Sequence, residues 1–256
     1  MKKLFFLLIA AAIASGNEAY EIMKKADARD KGDLMSAETR MILIDAQNRE
    51  RSRKMRQFKK IEGETTKRAI FFAEPVDVKD TSFLTFDHRN KDDDQWLYLP
   101  SLRKTKRVAA ADQSGSFMGS DFSYNDLTDR NLDDYDYALQ GEREANGALC
   151  YVIEATPKNE KVIETTGYVK SLLLVRKDNF VIVRSVNYER KNGRAKFMDI
   201  PKLAKIDGVW QPLEMKMTTR QDKTTLHSTI LYFDDVKFGR KLNDEIFTIR
   251  GIEKGI

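Results

Sequence analysis

The sequence has few of the residues that build covalent or metal-held sites. Among its 256 residues there are one cysteine, Cys150, and two histidines. A single cysteine excludes an intrachain disulfide, a multi-cysteine zinc site and a Cys-x-x-Cys redox motif. Cys150 itself lies in an apolar predicted strand, which is typical of a buried structural thiol rather than of a nucleophile. We therefore expect no cofactor.

Neither sign of charge dominates the chain. It has 45 Lys and Arg residues against 40 Asp and Glu residues, which gives a net charge of +5. Such a balance is not typical of a nucleic-acid-binding protein, and we expect no nucleic-acid partner. With 41% hydrophobic residues the chain can bury a core, so intrinsic disorder is excluded in favour of one large domain or two small ones.

The chain has no apolar run long enough to span a membrane. Lys2 and Lys3 precede the ten-residue apolar run Leu4–Ile13, which small residues up to Gly16 follow. A spanning helix needs roughly 18 apolar residues, whereas this order of charge, apolar run and small residues is that of a secretory signal. We predict a cleaved signal peptide over residues 1–16 and export to a Gram-negative periplasm. No cysteine follows the expected cleavage site, so a lipid anchor is not expected.

The rest of the chain, residues 17–256, reads as one mainly β domain. A helix is predicted over Asn17–Asp30, and beyond it the apolar pattern has period two. Asp178-Asn179, Asn192-Gly193 and Asp207-Gly208 are hairpin signals, and short turns imply antiparallel neighbours. The predicted strands are Thr39–Gln47, Arg51–Ile61, Thr65–Glu74, Ser82–Asp87, Gln95–Leu99, Arg103–Ala109, Asp134–Glu144, Leu149–Thr156, Tyr168–Lys177, Phe180–Arg190, Arg194–Ile206, Val209–Arg220 and Thr224–Val236.

This many strands cannot remain a flat sheet. About ten or more antiparallel strands must curl or close to protect their edges, so we predict a single curved antiparallel sheet. One segment, Ala110–Asn131, interrupts the strand rhythm and is rich in Gly, Ser and Asp. It also carries Phe117, Met118, Phe122 and Tyr124, and a loop this apolar must pack on something. We expect it to lie over the concave face of the sheet.

The familiar catalytic and metal-binding patterns are incomplete. His88 and His227 have no partner at a ligand spacing. Asp129 begins like a calcium loop, but position six is Asp134 instead of glycine and position twelve is Gln140 instead of glutamate.

The remaining catalytic pattern is a serine motif. Ser101-Leu-Arg-Lys104 matches the Ser-x-x-Lys pattern of one class of hydrolases, yet its Lys-Thr-Gly and Ser-Asp-Asn companions are missing. We predict neither a metal site nor an enzyme, and a hydrolase that uses Ser101 stays as the least favoured alternative.

A basic strand is the densest cluster of charge. Arg49, Arg51 and Arg53 share one face of it, because alternate residues of a strand point to the same side. The simplest interpretation is an outward, solvated face. The alternative is a docking surface for an acidic protein, such as an inner-membrane transporter, or for anionic lipid headgroups.

Four segments resemble one known family. They are Trp96-Leu-Tyr-Leu-Pro-Ser-Leu-Arg-Lys104, Gly115-Ser-Phe-Met-Gly-Ser-Asp-Phe-Ser-Tyr-Asn-Asp-Leu127, Ile206-Asp-Gly-Val-Trp-Gln-Pro212 and Asp244-Glu-Ile-Phe-Thr248. Together they resemble the outer-membrane lipoprotein-sorting protein family, part of the LolA-like periplasmic carrier superfamily. The resemblance implies an unclosed antiparallel barrel whose concave face, partly covered by helices, holds acyl chains.

The leading hypothesis is a monomeric, non-enzymatic periplasmic carrier that moves a lipid or lipoprotein acyl chain between the inner and outer membranes. The alternative is an adaptor of an inner-membrane lipid exporter, which carries no cargo and docks through Arg49, Arg51 and Arg53. For the carrier, alternation in the strands and the apolar insertion indicate the lining of the cavity. The candidate lining residues are Met41, Leu43, Phe71, Trp96, Leu99, Phe117, Met118, Phe122, Tyr124, Leu213, Met215 and Met217.

Overall fold

The computed structural model describes residues 16–190 and 193–256 and contains one sheet of thirteen strands. The strands are β1 (Leu34–Ile44), β2 (Glu50–Glu62), β3 (Thr65–Glu74), β4 (Ser82–His88), β5 (Asp94–Leu99), β6 (Lys104–Arg107), β7 (Tyr135–Ala145), β8 (Ala148–Pro157), β9 (Tyr168–Arg176), β10 (Ile182–Glu189), β11 (Arg194–Ile206), β12 (Val209–Gln221) and β13 (Thr224–Phe238). The helices are α1 (residues 16–28), α2 (Glu160–Thr166) and α3 (Ile249–Lys254).

The strand order is β6-β5-β4-β3-β2-β1-β13-β12-β11-β10-β9-β8-β7. All neighbours are antiparallel, and the first and last strands, β1 and β13, pair in the middle of the sheet. Two runs of hairpins thus meet at that pair, and β6 and β7 become the two edges. The sheet does not close on itself, which confirms the predicted unclosed antiparallel barrel.

Local turn chemistry explains the register of the hairpins. Asp207 and Gly208 both have positive φ, +49° and +89°, as a two-residue turn between twisted strands requires. β11 and β12 therefore pair from Ile206 opposite Val209 outward. The predicted turn at Asn192-Gly193 includes a residue outside the described part of the chain, and so does nearly all of the predicted signal peptide.

The chain passes from one edge of the sheet to the other in a single connection, residues 108–134, which we call the crossing segment. It contains four 3-10 turns, Ala110–Asp112, Phe117–Gly119, Asn125–Leu127 and Leu132–Asp134. Within it, the inner hairpin (Gly115–Tyr124) is closed by hydrogen bonds from Phe117 N to Phe122 O (2.7 Å) and from Tyr124 N to Gly115 O (3.1 Å). The segment lies over one face of the sheet, the inner face, as predicted for the insertion.

Helix α1 covers the other half of the inner face. Its buried side chains Ile22, Met23 and Ala26 recur every three or four residues and pack against Tyr137 and Ile153 of the β7–β8 hairpin. None of the helices in the described residues has the length and apolarity needed to cross a bilayer.

The chain ends on the opposite, outer face. A 3-10 turn at Asp244–Phe247 agrees with the predicted closing turn, and α3 follows it directly. Thr248 caps α3 by accepting a hydrogen bond from Gly251 N at 2.9 Å. Phe247 and Ile252 are buried against Phe71 and Leu84, so the sheet is covered on both faces at this end.

Removing the Ile252 side chain tests how firmly the C-terminal element is packed. Ile252 is fully buried, so we expect Ile252→Ala to lower the free energy of unfolding by about 2–4 kcal/mol through lost burial and a residual cavity. Urea denaturation measures this change. The control is Ile256→Ala, because Ile256 is 54% exposed, and a loss of similar size in the control would contradict the packing described here.

Candidate functional site

Two adjoining cavities lie between the inner face and the elements that cover it. The first, of about 250 Å³, lies under the crossing segment, and the second, of about 210 Å³, lies under α1. They share five lining residues, namely Arg29, Lys31, Asp129, Pro212 and Met215. The two cavities therefore meet at one junction.

The apolar part of the first cavity includes five side chains from four strands, β3, β4, β12 and β13. Ile70 and Phe83 lie on one side of it, and Met215, Leu231 and Phe233 lie on the other. They reach the same face because alternate residues of a strand point to the same side. Each of them lies two positions along its strand from another inward residue. The side chains are large, flexible or aromatic, so the wall is suited to an apolar ligand of irregular shape.

An aromatic cluster holds the inner hairpin beside this cavity. The ring of Phe117 lies 5.2 Å from that of Phe83, 5.6 Å from that of Tyr124 and 6.0 Å from that of Phe72, measured between centroids. Edge-on and tilted contacts of this kind contribute beyond the area that they bury. The hairpin is thus packed onto β3 and β4.

A buried carboxylate anchors the same hairpin to the other side of the inner face. Asp121 is 2% exposed and accepts hydrogen bonds from the Thr219 hydroxyl at 2.6 Å and the Thr229 hydroxyl at 2.7 Å. Its carboxylate also contacts Nδ1 of His227, and its own N–H donates to Thr229 Oγ1 at 2.9 Å. Asp121 therefore ties the crossing segment to β12 and β13.

Charged side chains gather where the cavities meet. Arg68 donates to Asp87 at 2.6 Å and forms an ion pair with Asp129 at 3.1 Å, and Lys31 pairs with the other oxygen of Asp129 at 3.2 Å. Desolvation in the cavity wall acts to raise the pKa of Asp129, but the two cations outweigh it and hold that pKa far below its ordinary value. Asp129 is therefore ionised and fully paired.

Lys59 is a buried cation of a different kind. It is 9% exposed, lines the first cavity, and its ammonium group donates to the backbone carbonyl of Lys31. Burial, with the nearby charges of Arg68 and Arg29 adding to it, lowers the pKa of Lys59 to about 8. Burial also lowers the pKa of Arg29.

The structure divides the twelve predicted lining residues into three groups. Phe122 and Met215 line the cavities directly. Six more belong to the apolar cluster around the inner hairpin: Met41, Leu43, Phe117, Met118, Tyr124 and Met217.

The other four lie elsewhere. Phe71 and Trp96 point to the outer face, where Phe71 contacts the C-terminal element and Trp96 packs on Phe86. Leu213 is skipped in the pairing of β12 with β11, a bulge that places Pro212 in the cavity wall in its stead. Leu99 lies at the end of β5, outside both cavity walls.

The predicted basic face is not a single surface. Arg53 is turned to the inner face and donates to the carbonyl of Met118 at the tip of the inner hairpin, at 2.5 Å. Arg49 precedes β2 and forms an ion pair with Asp45 at 2.7 Å, and Arg51 is exposed. Only part of this cluster is therefore free to face a partner.

Of the other residues considered for chemistry, the two histidines have structural partners, Cys150 is buried and Ser101 is exposed. His88 contacts Thr65 and Asp94, and His227 contacts Asp121. Cys150 is fully buried, and burial raises the pKa of its thiol. Ser101 lies in an exposed 3-10 turn. The described residues contain no group of three or more Asp, Glu, His or Cys side chains placed to hold a metal ion.

Sequence and structure comparisons agree on the relatives of this chain. A family model described as an uncharacterized protein matches residues 64–254. A crystal structure from Vibrio parahaemolyticus, provisionally named an outer membrane lipoprotein-sorting protein domain, is 31% identical with a TM-score of 0.84, and the match covers 93% of this chain and 99% of that one. The chain belongs to the outer-membrane lipoprotein-sorting protein family. The resemblance seen in its motifs is thus confirmed.

Two further solved structures are similar to this chain. A DUF1329 family protein from Desulfovibrio piger is 27% identical with a TM-score of 0.84, over 93% of this chain and 99% of that one. A LolA superfamily protein from Nitrosomonas europaea shares the fold at 23% identity and a TM-score of 0.66, over 90% and 97% of the two chains. No curated protein matches the chain significantly.

Replacing Asp121 tests the anchor of the inner hairpin. In Asp121→Ala the buried hydroxyls of Thr219 and Thr229 lose their acceptor, so we expect a loss of about 2–4 kcal/mol in the free energy of unfolding. Urea denaturation measures this loss, and limited proteolysis should show faster cleavage within the crossing segment. Asp112→Ala, an exposed change in the same segment, serves as the control. Unchanged cleavage in the Asp121 variant would argue against an anchoring role.

Replacing Lys59 tests the cost of burying its charge. Because its pKa is lower in the folded than in the unfolded chain, its contribution to stability is least favourable below pH 8 and improves as the pH rises through 8 towards 10. We expect Lys59→Met to raise the free energy of unfolding by about 1–3 kcal/mol at pH 7, and by much less at pH 9.5. Urea denaturation at both pH values measures this, with Lys216→Met on the outer face as control. If the stability gained by Lys59→Met is the same at pH 9.5 as at pH 7, the lowered pKa of Lys59 is contradicted.

Proposed function

We propose that this protein is a carrier that shields an acyl chain in the two adjoining cavities of its inner face. The observation that carries the proposal is that each cavity has an apolar wall, and that Pro212 and Met215 face both cavities. Burying each methylene of a chain in such a wall contributes about 0.8 kcal/mol. The name of the Vibrio parahaemolyticus relative, which concerns lipoprotein sorting, supports the same class of ligand.

The proposal includes the place of action. The charged start, the ten-residue apolar run and the small residues that follow favour export to the periplasm. There the protein takes an acyl chain of a lipid or lipoprotein from the inner membrane and delivers it to the outer membrane. Transfer requires the cavity to open, and we assign this to the crossing segment, which holds the inner face through a few anchors such as Asp121 and Arg53.

The proposal includes no catalytic step. Ser101 lies in the exposed 3-10 turn that follows β5, Lys104 is the first residue of β6, and neither of them lines a cavity. The adaptor alternative receives less support, since Arg53, one of its three docking residues, is engaged with Met118. It is retained as one outcome of the test below.

The test uses two neighbouring residues that point to opposite faces of β12. Met215→Asp places a carboxylate in the apolar wall, where burying a charge is costly, and we expect it to abolish binding of a fluorescent fatty acid. Lys216→Asp changes the outer face and should leave the affinity nearly unchanged. Fluorescence titration measures both variants.

The outcomes separate the two functions. Equal losses in the two variants would contradict a binding site on the inner face. No binding by the wild-type protein to any acyl ligand would favour the adaptor.

A further inference from the structure

The junction of the two cavities has an excess of positive charge. Five basic side chains line the cavities, against three acidic ones. The basic residues are Arg29, Lys31, Lys59, Arg68 and Arg130, and the acidic residues are Asp27, Asp126 and Asp129. A purely apolar ligand could not form ion pairs or hydrogen bonds with these basic side chains.

The three carboxylates are already satisfied by the protein. Asp129 pairs with Lys31 and Arg68. Asp126 accepts hydrogen bonds from the hydroxyl of Tyr168 at 2.9 Å and from the N–H of Ser123 at 2.7 Å. Asp27 likewise has two cationic partners, at 3.2 and 2.9 Å. Of the basic lining residues, only Lys31 and Arg68 form ion pairs with these carboxylates. Lys59, Arg29 and Arg130 do not.

The remaining donors are buried or half-buried and have no anionic partner. Within the described residues, no carboxylate lies within ion-pair distance of Lys59 or Arg29, and Arg29 donates only to the carbonyl of Trp210, at 3.5 Å. Nη1 of Arg130 and the hydroxyl of Tyr137 are buried and have no hydrogen-bond partner among those residues. Tyr137 is 6% exposed and lines the second cavity together with Arg130.

Nη1 of Arg130 and the hydroxyl of Tyr137 lack a partner, and Lys59 and Arg29 reach only backbone carbonyls. These four donors line the cavities on either side of the junction, and one anionic acceptor would satisfy them. We propose that the junction binds the acid headgroup of the cargo, a carboxylate or a phosphate, through Lys59, Arg29, Arg130 and Tyr137. This inference rests on the proposed carrier function and narrows it, since the ligand becomes an anionic amphiphile. Its chain extends along Met215 and the apolar wall.

An acid headgroup would supply the anionic partner that Lys59 and Arg29 do not have within the protein. A charge-assisted hydrogen bond in a site of low dielectric constant is about twice as strong as a neutral one. An acid oxygen near Lys59 and Arg29 gains from both cations, while the apolar wall excludes the water that would compete with it. The acid group would then determine which lipid is carried, and the wall would accept chains of different shape.

The experiment compares ligands that differ only in the headgroup. Palmitate, hexadecyl phosphate and hexadecanol compete, each below its aggregation concentration, with a neutral fluorescent naphthylamine probe bound to the full mature chain. We expect the wild-type protein to prefer the acids over the alcohol by about tenfold or more. Lys59→Met should reduce this preference to about twofold or less without weakening the alcohol, and Lys216→Met should retain it.

A second variant covers the possibility that the lysine variant changes the fold. Tyr137→Phe removes only a hydroxyl that has no partner in the described protein, so its free energy of unfolding should not fall. We expect its affinity for palmitate to drop by about threefold or more, an effect that a purely structural hydroxyl would not produce. Circular dichroism confirms the fold of both variants.

The contrary outcomes are distinguishable. If the wild-type protein binds acids and alcohol equally, the headgroup site is refuted while the carrier function stands. If inorganic phosphate alone displaces the probe as well as hexadecyl phosphate does, the site is one for a free anion and the amphiphile is refuted. If no ligand displaces the probe, both the carrier function and the headgroup site fail.

Discussion

The pairing of β1 with β13 is the constraint on which the rest of the structure depends. It places the two ends of the strand sequence in the middle of the sheet and leaves β6 and β7, which are joined by one connection, at opposite edges. That connection must cross a whole face. The crossing segment covers the inner face for this reason, and the cavities are the space that it and α1 leave over the sheet.

Polar anchors explain why this space stays open. Asp121 and the Arg68–Asp129 pair hold the crossing segment through hydrogen bonds of fixed length, whereas aliphatic side chains would allow it to settle onto the sheet. Lys59 and Arg29 add side chains that cannot be packed like methylenes. On the inner face, the crossing segment is thus packed closely on the sheet at Phe117, whereas cavities remain at the polar junction. Both features are needed for a covered cavity.

Much of the fold could be predicted from local signals in the sequence. The two-residue turns, the period of two and the apolar insertion gave thirteen strands and a covered face, because each signal depends on neighbours in the chain. The helix α2, of seven residues, was missed, since it is too short to show an amphipathic pattern.

The composition of the site could not be predicted in the same way. Which face a side chain joins depends on register, and a bulge such as the one at Leu213 exchanges the two faces. Phe71 and Phe72 are both buried, on opposite faces, so the pattern of β3 does not say which residue faces the cavity. Lys59 lies among other charged residues of the predicted strand Arg51–Ile61, and Asp121 lies in the polar stretch of the insertion, so no local pattern distinguishes either of them. The role of Asp121 depends on partners about 100 residues away in the chain, and that of Lys59 depends on its burial in the cavity wall.

The two edge strands also bear on how the molecule behaves among its own copies. An open sheet offers free backbone donors and acceptors to any passing strand. Here β6 has only four residues, three of them basic, and repels an identical edge. β7 is interrupted by a bulge between Leu139 and Gly141 and continues with Glu142, Arg143 and Glu144, which twist and charge the edge. A half-barrel can therefore stay unclosed in concentrated solution without growing by strand addition into fibres.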